Sequence, residues 1–461
     1  MQFDPQLAEI RFGCGLSPVI APPVSVAQMV DSLNAPDTIA ERFPVETFEI
    51  FQNRVAEAVR LRKLRRTNRG SPEALAALKG RRMLNQQARI AQVAWLGQHF
   101  NRWTWTDAPL RERLVHFWAD HFTATGKAGV ARRAATPYIE SAIRPRVAGL
   151  FEDLLLATVL HPLMIHYLDQ ERSIGPASPR ALQGGKVSGL NENLAREVLE
   201  LHTLGVGGPY TQTDVTQLAE LFTGVTTGDP MRMKFRKDMA EPGAETVLGI
   251  AYGGGKAHLR DVEAVLRDLA RHPATARHLA GKLAVHFISD TPDPALVEGL
   301  AARYMETGGD LGAVTATLLE HPAAWTPARV NVKQGFRFMA SAFRALALPP
   351  KTLAALDEKT ARRLLVIPLA QMGHAWEKPA GPDGLPEEDS SWIAPQSIAA
   401  RLQWAIAVPQ RLLPALPDPR DFVGHALGDA IPPAVQFAAD AAESRGDGIG
   451  LILASPAFQR T

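Results

Sequence analysis

The sequence predicts a mostly α fold, a large multi-helix assembly with one small β-hairpin insertion around 231–252. Three observations carry this. Apolar residues recur at helical spacing through most of the chain, and no succession of strand–helix–strand units suggests a parallel sheet. Period-two alternation is clearest between Met231 and Tyr252, in MRMKFRK and ETVLGIAY, where Pro242-Gly243 reads as the turn. With 461 residues and 46% hydrophobic content the chain can bury a large core. It reads as one domain over 1–461, with sub-lobes 1–225, 226–258 and 259–461.

The formal net charge of +2 gives no reason to expect nucleic acid or an acidic polymer as an obligatory partner. The single cysteine, Cys14, excludes an internal disulfide and a thiolate metal cluster, and within RFGCGLSP it reads as a small buried or half-buried thiol. The uncharged run Phe12–Val30 is broken by Gly13, Gly15, Pro18, Pro22 and Pro23, so no transmembrane segment is expected there. No basic stretch leads into an apolar one with a small-residue cleavage site. The expected location is therefore cytoplasmic, with export beside a partner left open.

From Val26 to about Phe100 the punctuation at Pro36, Pro44 and Gly70-Ser71-Pro72 predicts three helices, the last capped by Ser71 with Pro72 in its first turn. Between Arg60 and Arg82 lie nine basic residues against Glu73 alone. They form either an anionic docking patch or a solvated face, and the lack of interleaved aromatics favours the latter. In LRERLVHFWADHFTATGK, Leu110–Lys127, His116 and Asp120 share a helix face and suit a metal pair, a carboxylate-oriented base or a helix-stabilising pair. His121 falls with Phe117 and Leu114, as a core histidine would. The apolar run Leu150–Leu160 predicts a buried helix. His161-Pro162, His272-Pro273 and His321-Pro322 each close one helix and open another. After Asp169 the chain turns polar and turn-rich, with Gly175, Pro176, Pro179, Gly184 and Gly185 leading into Leu190–Gly224.

That stretch, LNENLAREVLELHTLGVGGPYTQTDVTQLAELFTG, is the densest in helix signals and ionisable side chains. Asn191 caps an expected helix 192–204, which Gly205 and Gly207-Gly208-Pro209 end. Leu194, Ala195, Val198, Leu199 and Leu201 form an apolar stripe containing His202, and Glu192, Asn193, Arg196, Glu197 and Glu200 form the other face. Thr211 and Asp214 make a capping box for the next helix. Glu197 and Glu200, with Asn193 a turn before, suit a divalent cation or a general acid/base pair, because neighbouring like charges push pKa values apart. The alternative is a solvated or Arg196-bridged surface. The spacing does not match HExxH, since Glu200 and His202 are two apart.

Beyond it, Gly253–Gly255 followed by Lys256 lacks the Ser or Thr of a phosphate-binding loop. Amphipathic helices follow over 262–286, 294–319 and 331–346, the last placing Phe336, Phe338 and Phe343 at core spacing. Glu377–Ser391, between Trp376 and Trp392, has no apolar period and reads as a lid or pocket edge.

GLNENLAREVLELHTLGVGGPYTQTDVTQLAELFTG resembles the signature of the bacterial family called domain of unknown function 1800. The likeness extends through RFGCGLSP, HFWADHFT, YLDQERSIGPASP, TVLG, RHPATARHLAGKLAVHF and GHAW. It implies a mostly helical fold and no settled activity. It also implies a protein partner, since genes of this family commonly sit beside those of domain of unknown function 1501, which resembles the sulfatase and alkaline phosphatase fold. Departures limit what carries over: Ala240-Glu241-Pro242-Gly243 stands where members often have His-Asp-Pro-Gly, Trp118-Ala119-Asp120-His121-Phe122 where they often have Trp-His-Asn-His-Phe, and the late loop lacks the family's Lys-Gly-Trp around Asp383, Gly384 and Leu385. Two functional expectations stand. One is an enzyme or enzyme subunit with catalytic Glu197, Glu200 and His121, and with Arg172, Arg196, Asn193 and Asp169 binding substrate. The other is a non-catalytic helical scaffold for the phosphatase/sulfatase-like partner.

Overall fold

Proline and the side chain before it decide where many of the helices begin. At all three His-Pro steps the imidazole Nδ1 accepts the backbone N–H two residues on: His161 from Leu163 at 3.1 Å, His272 from Ala274 at 3.1 Å and His321 from Ala323 at 3.2 Å. Proline has no N–H, so that donor is the first a cap can satisfy, and histidine does here what Asp or Asn does elsewhere. The computed structural model describes residues 3–183 and 189–461, of which 63% are helical and 5% strand, against roughly one third helix in an ordinary globular protein. Gly184 and Gly185, two of the turn glycines, lie outside the described residues.

Helix α1 (Phe48–Thr67) and helix α2 (Pro72–Trp105) form a long hairpin closed at 68–71, with Ser71 capping Ala74 as expected. Gly80 lets them approach closely, since a Cβ there would meet Leu61 methyls at 3.3 Å. Before them lie Val26–Asn34 and a short turn, Thr38–Arg42, capped by Asp37 and too brief to show an apolar period. Helix α3 (Pro109–His121) and helix α4 (Phe151–Val159) follow. Helix α5 (Asn193–Glu197) passes without a break into a π-helical turn, Val198–Thr203, and Leu204 N–H bonds back to Leu199. The expected cap moves: Glu192, not Asn191, holds the N-cap position and makes no side-chain cap bond, while Asn191 Oδ1 accepts Asn193 N–H at 3.0 Å from one residue further out. Thr211 and Asp214 form both halves of the capping box of α6 (Gln212–Leu221).

The β insertion is two hairpins. Strand β1 (Val225–Gly228) pairs antiparallel with β2 (Arg232–Phe235), and β3 (Gly243–Val247) with β4 (Ile250–Gly255). Pro242-Gly243 leads into β3 instead of turning. The second turn is Leu248-Gly249, both at positive φ (50° and 79°), the conformation a two-residue hairpin favours. Helices α7 (Leu259–Ala270), α8 (Pro273–Phe287), α9 (Gly335–Ala345) and α10 (Pro395–Ala407) complete the elements needed below.

Buried side chains fall into two cores. One draws on α3 to α8 and reaches Trp325; the other gathers Cys14, α9, α10 and residues to Phe458. Helix α2 belongs to both, giving Ala88 and Trp95 to the first and Leu96, Phe100 and Trp103 to the second. Cys14 is fully buried and His202 is buried, as the sequence implied. The cores are stitched by Arg344 of α9, whose guanidinium donates to the carbonyls of Gly15 (2.7 Å), Trp103 (3.1 Å), Thr104 (3.3 Å) and Thr106 (2.9 Å) and to Glu9 (3.3 Å). Arg344→Met should lower stability by about 3–5 kcal/mol, because it leaves the Glu9 carboxylate and several carbonyls buried without a donor. Urea unfolding measures this, and a loss below about 1 kcal/mol would contradict the role given to Arg344.

Candidate functional site

The charged face of α5 is internally paired. Arg196 sits one turn from both Glu192 and Glu200 and bonds them at 3.2 and 3.3 Å, and it also donates to Gln212 Oε1 at 2.9 Å. Glu197 is half-buried beside this ladder; burial, then Glu200 and Asp383, raise its pKa above the usual carboxylate value. Asn193 is exposed. Asp169 adopts a left-handed conformation (φ 57°) and pairs with Lys127 at 2.5 Å, while exposed Arg172 lies within electrostatic reach of Glu171. His121 faces inward, its Nε2 3.2 Å from the carbonyl of His202 in the π turn. Burial depresses both rings, His121 well below the ordinary histidine value and His202 to about 3. The structure thus joins Glu192, Arg196 and Glu200, joins His121 to His202, and places Asp169 and Arg172 on a separate turn.

A cavity of about 110 Å³ opens on the other face of α3. Helix α2 supplies His99 and Trp103, α3 supplies His116 and Asp120, α9 supplies Phe336, and the late loop supplies His374, Trp376, Glu377 and Leu385. The walls are mainly rings: His116 lies 5.6 Å from His374 and 5.8 Å from Trp103, and Trp376 stacks on Phe336 at 5.3 Å. Both nitrogens of His116, Nε2 of His99, Nδ1 of His374 and Nε1 of Trp376 are shut off from solvent without a hydrogen-bond partner among the described residues. Buried donors and acceptors left in this state mark a place where a polar ligand or ordered water belongs.

His116 and Asp120 do share a face, as their spacing implied, but they are not bonded to each other. Asp120 Oδ1 instead accepts the N–H of Leu385 at 2.9 Å, across 265 residues of chain. Gly384 makes that approach possible: it has φ 80°, and a Cβ there would fall 2.7 Å from Asp120 Oδ1. The loop is further held by Glu387, which pairs with buried His286 at 3.0 Å, and by Trp392, whose indole donates to Pro386 O at 3.0 Å. The stretch read as a lid or pocket edge is the edge of this cavity.

Burial, reinforced by Glu387, pushes the Asp120 carboxyl up to about 8. Burial also raises Glu377, which accepts bonds from Thr136 and Gln92. It lowers His374 to about 3 and holds His99 and His116 well below the usual value, His374 adding to the effect on His116. Near neutral pH the wall therefore presents uncharged imidazoles and a protonated carboxyl. His99 carried no signal in the sequence and His374 none beyond the GHAW stretch, since each meets the others only in the fold. Among the described residues no group of three or more His, Cys, Asp or Glu side chains is placed to hold a metal ion. The basic run forms an exposed groove of about 450 Å³ lined by Arg62, Arg65, Arg66, Arg69 and Arg81 at the hairpin tip.

These features define a mostly helical protein built around a small aromatic and histidine-lined cavity, in one match that spans almost the whole chain. The family described as "Protein of unknown function (DUF1800)" matches residues 10–460, and the chain belongs to that family. No curated protein and no solved structure matches it. Among the described residues no helix is long and apolar enough to cross a membrane.

The Asp120 shift has a thermodynamic consequence. A carboxyl that titrates near 8 when folded and near 3.8 when unfolded holds its proton more tightly in the native state. Its contribution to stability is complete below about pH 4 and is lost as pH rises through about 8. Asp120→Asn should flatten the fall in stability between pH 5 and 8, measured by urea titrations across that range; an unchanged slope would remove Asp120 as the group responsible.

Proposed function

We propose that the protein is an enzyme, or an enzyme subunit, that carries out general acid/base chemistry on a small uncharged molecule held in the cavity between α2, α3, α9 and the 374–385 loop. The observation that carries this is a carboxyl with a pKa near 8 facing rings whose nitrogens have no partner. A group titrating close to ambient pH gives and regains a proton readily, which suits Asp120 to the role of general acid. Neutral His116 accepts a proton or a hydrogen bond, and Trp103, Phe336 and Trp376 supply flat apolar walls. At about 110 Å³ the space is somewhat smaller than the roughly 150 Å³ cavity that admits a benzene ring, so a small substrate or the reacting end of a larger one fits. Asp383 acts electrostatically on both Asp120 and Glu197. In this reading Glu197, with Glu200 and His121, is the second acid/base centre, and Arg172, Arg196, Asn193 and Asp169 are its substrate-binding set.

The test begins with uncharged fragments of about eight non-hydrogen atoms, screened by ligand-observed NMR. Fragments bound by the wild type should be lost in Trp376→Ala and His116→Phe, and any turnover found should fall about 10²–10⁴-fold in kcat with Asp120→Asn. Fragments that bind both cavity variants as well as the wild type, or turnover indifferent to Asp120, would overturn the reading.

A second reading has its own support in the paired ladder of Glu192, Arg196 and Glu200, which leaves those charges occupied as structural ion pairs. In it the chain is a helical scaffold for a phosphatase/sulfatase-like partner. Co-expression should then give a complex that survives purification, whereas failure to associate at micromolar concentrations removes this alternative.

A further inference from the structure

Most deeply buried guanidinium groups in this protein are answered by oxygen. Arg344 has four carbonyls and Glu9, Arg102 has Phe43 O and Glu140, and Arg144 has Asp37 and Glu112. Arg401 of α10 is different. It is wholly buried, and its Nε, Nη1 and Nη2 have no partner among the described residues. Its carbon Cζ lies 5.4 Å from the centre of the Phe338 ring, Phe338 touches Phe458 with centroids 5.9 Å apart, and Lys333 Nζ stands 4.0 Å over Phe458. Arg337, one residue before Phe338, is also buried, and it donates to the Thr461 hydroxyl at 3.3 Å.

Cations crowd this locus. After burial, the strongest influences on the Lys333 ammonium are Arg337, Arg329, Arg113 and Arg401, all cations. Glu387 and Asp389 reach Arg337 electrostatically, Glu387 also bonding His286 at 3.0 Å and Asp389 accepting the N–H of Val332 at 2.6 Å, whereas Arg401 feels burial alone. A buried cation without a counter-charge is the least favourable arrangement a core can hold, and a guanidinium with no acceptor for its five N–H groups adds to it. Aromatic faces offset only part of this.

We propose that Lys333, Arg337 and Arg401 form an enclosed binding site for a small oxyanion of the size of phosphate or sulfate, in the second core and apart from the cavity that holds Asp120. Two guanidinium forks and one ammonium match the oxygen array of such an ion, and the anion supplies the charge and the acceptors that the protein lacks there.

Protein dialysed free of multivalent anions is titrated with inorganic phosphate at constant ionic strength, and its Tm is followed. The wild type should gain Tm along a saturating curve. Arg401→Met and Lys333→Met should each weaken the apparent phosphate affinity roughly tenfold or more, the loss expected of one charge-assisted contact. Neither should lower Tm in phosphate-free buffer, since each removes an unpaired buried cation. Arg401→Lys, which keeps the charge, should retain a reduced phosphate response if the methionine variant does not fold. A wild type indifferent to phosphate overturns the proposal. So does a response that survives Arg401→Met but disappears with Arg65→Ser and Arg69→Ser in the hairpin groove.

Discussion

Helix ends bring bare carbonyls into the interior, and this chain has many short helices; satisfying those carbonyls is the constraint on which the architecture depends. Buried arginine is the recurring answer. Arg344 collects carbonyls from the end of α2 and from the Gly15 turn. Arg11 takes Ala324 and Ala328, Arg111 takes Ser32, Leu33 and Ala35, and Arg113 takes Arg11 and Gly13. One guanidinium reaches several carbonyls because its donors fan out in a plane, whereas a lysine would reach fewer and in no fixed geometry. The desolvation cost of several kcal/mol per ion is offset only when nearly all the donors are used. That requirement fixes the backbone segments relative to one another more tightly than apolar packing alone would.

The same joints position the cavity. Trp103 gives its carbonyl to Arg344 and its ring to the cavity wall, so the clamp between the two cores also sets the wall that faces His116. Phe336 opens the helix that carries Arg344 and stacks on both Phe100 and Trp376. The cavity thus lies where α2, α3 and α9 are held by one buried charge network, and the late loop closes it through Gly384 on Asp120 and Glu387 on His286. Its imidazoles and the Asp120 carboxyl are neutral because burial disfavours charge in either direction, pushing imidazoles down and carboxyls up.

Local signals were legible and long-range ones were not. The caps at Ser71 and Thr211, the His-Pro starts, the buried Cys14 and His202, and the shared face of His116 and Asp120 follow from residue type and spacing. The π turn after Glu197 was invisible, because a bond from residue 204 to 199 leaves no mark on a 3.6-residue pattern. The alternation around 231–252 marked β structure but not its division into two hairpins, since the second turns at Leu248, a residue type that does not announce a left-handed conformation. His99 was silent and His374 was marked only by GHAW, because nothing near either in sequence points at a partner. Most of all, arginine reads as surface in a sequence, and only the fold shows that Arg113, Arg344 and Arg401 are interior.

This bears on where chemistry is to be sought. The eye goes first to the charged helix, yet its charges are paired, and a paired carboxylate is a weak proton donor near neutral pH. Glu192 illustrates it: bonds from Thr216, Gln212 and Arg196 hold its pKa below the usual value, so it stays ionised. Glu197, half-buried and repelled by Glu200 and Asp383, moves the other way. Asp120 moves furthest, to about 8, because burial and the nearby Glu387 charge outweigh the one backbone N–H, of Leu385, that it accepts. Capacity to exchange a proton at ambient pH therefore rises from Glu192 through Glu197 to Asp120, as pairing gives way to burial. In a protein that spends ionised side chains on holding its helices together, the groups left uncharged are the ones free to react.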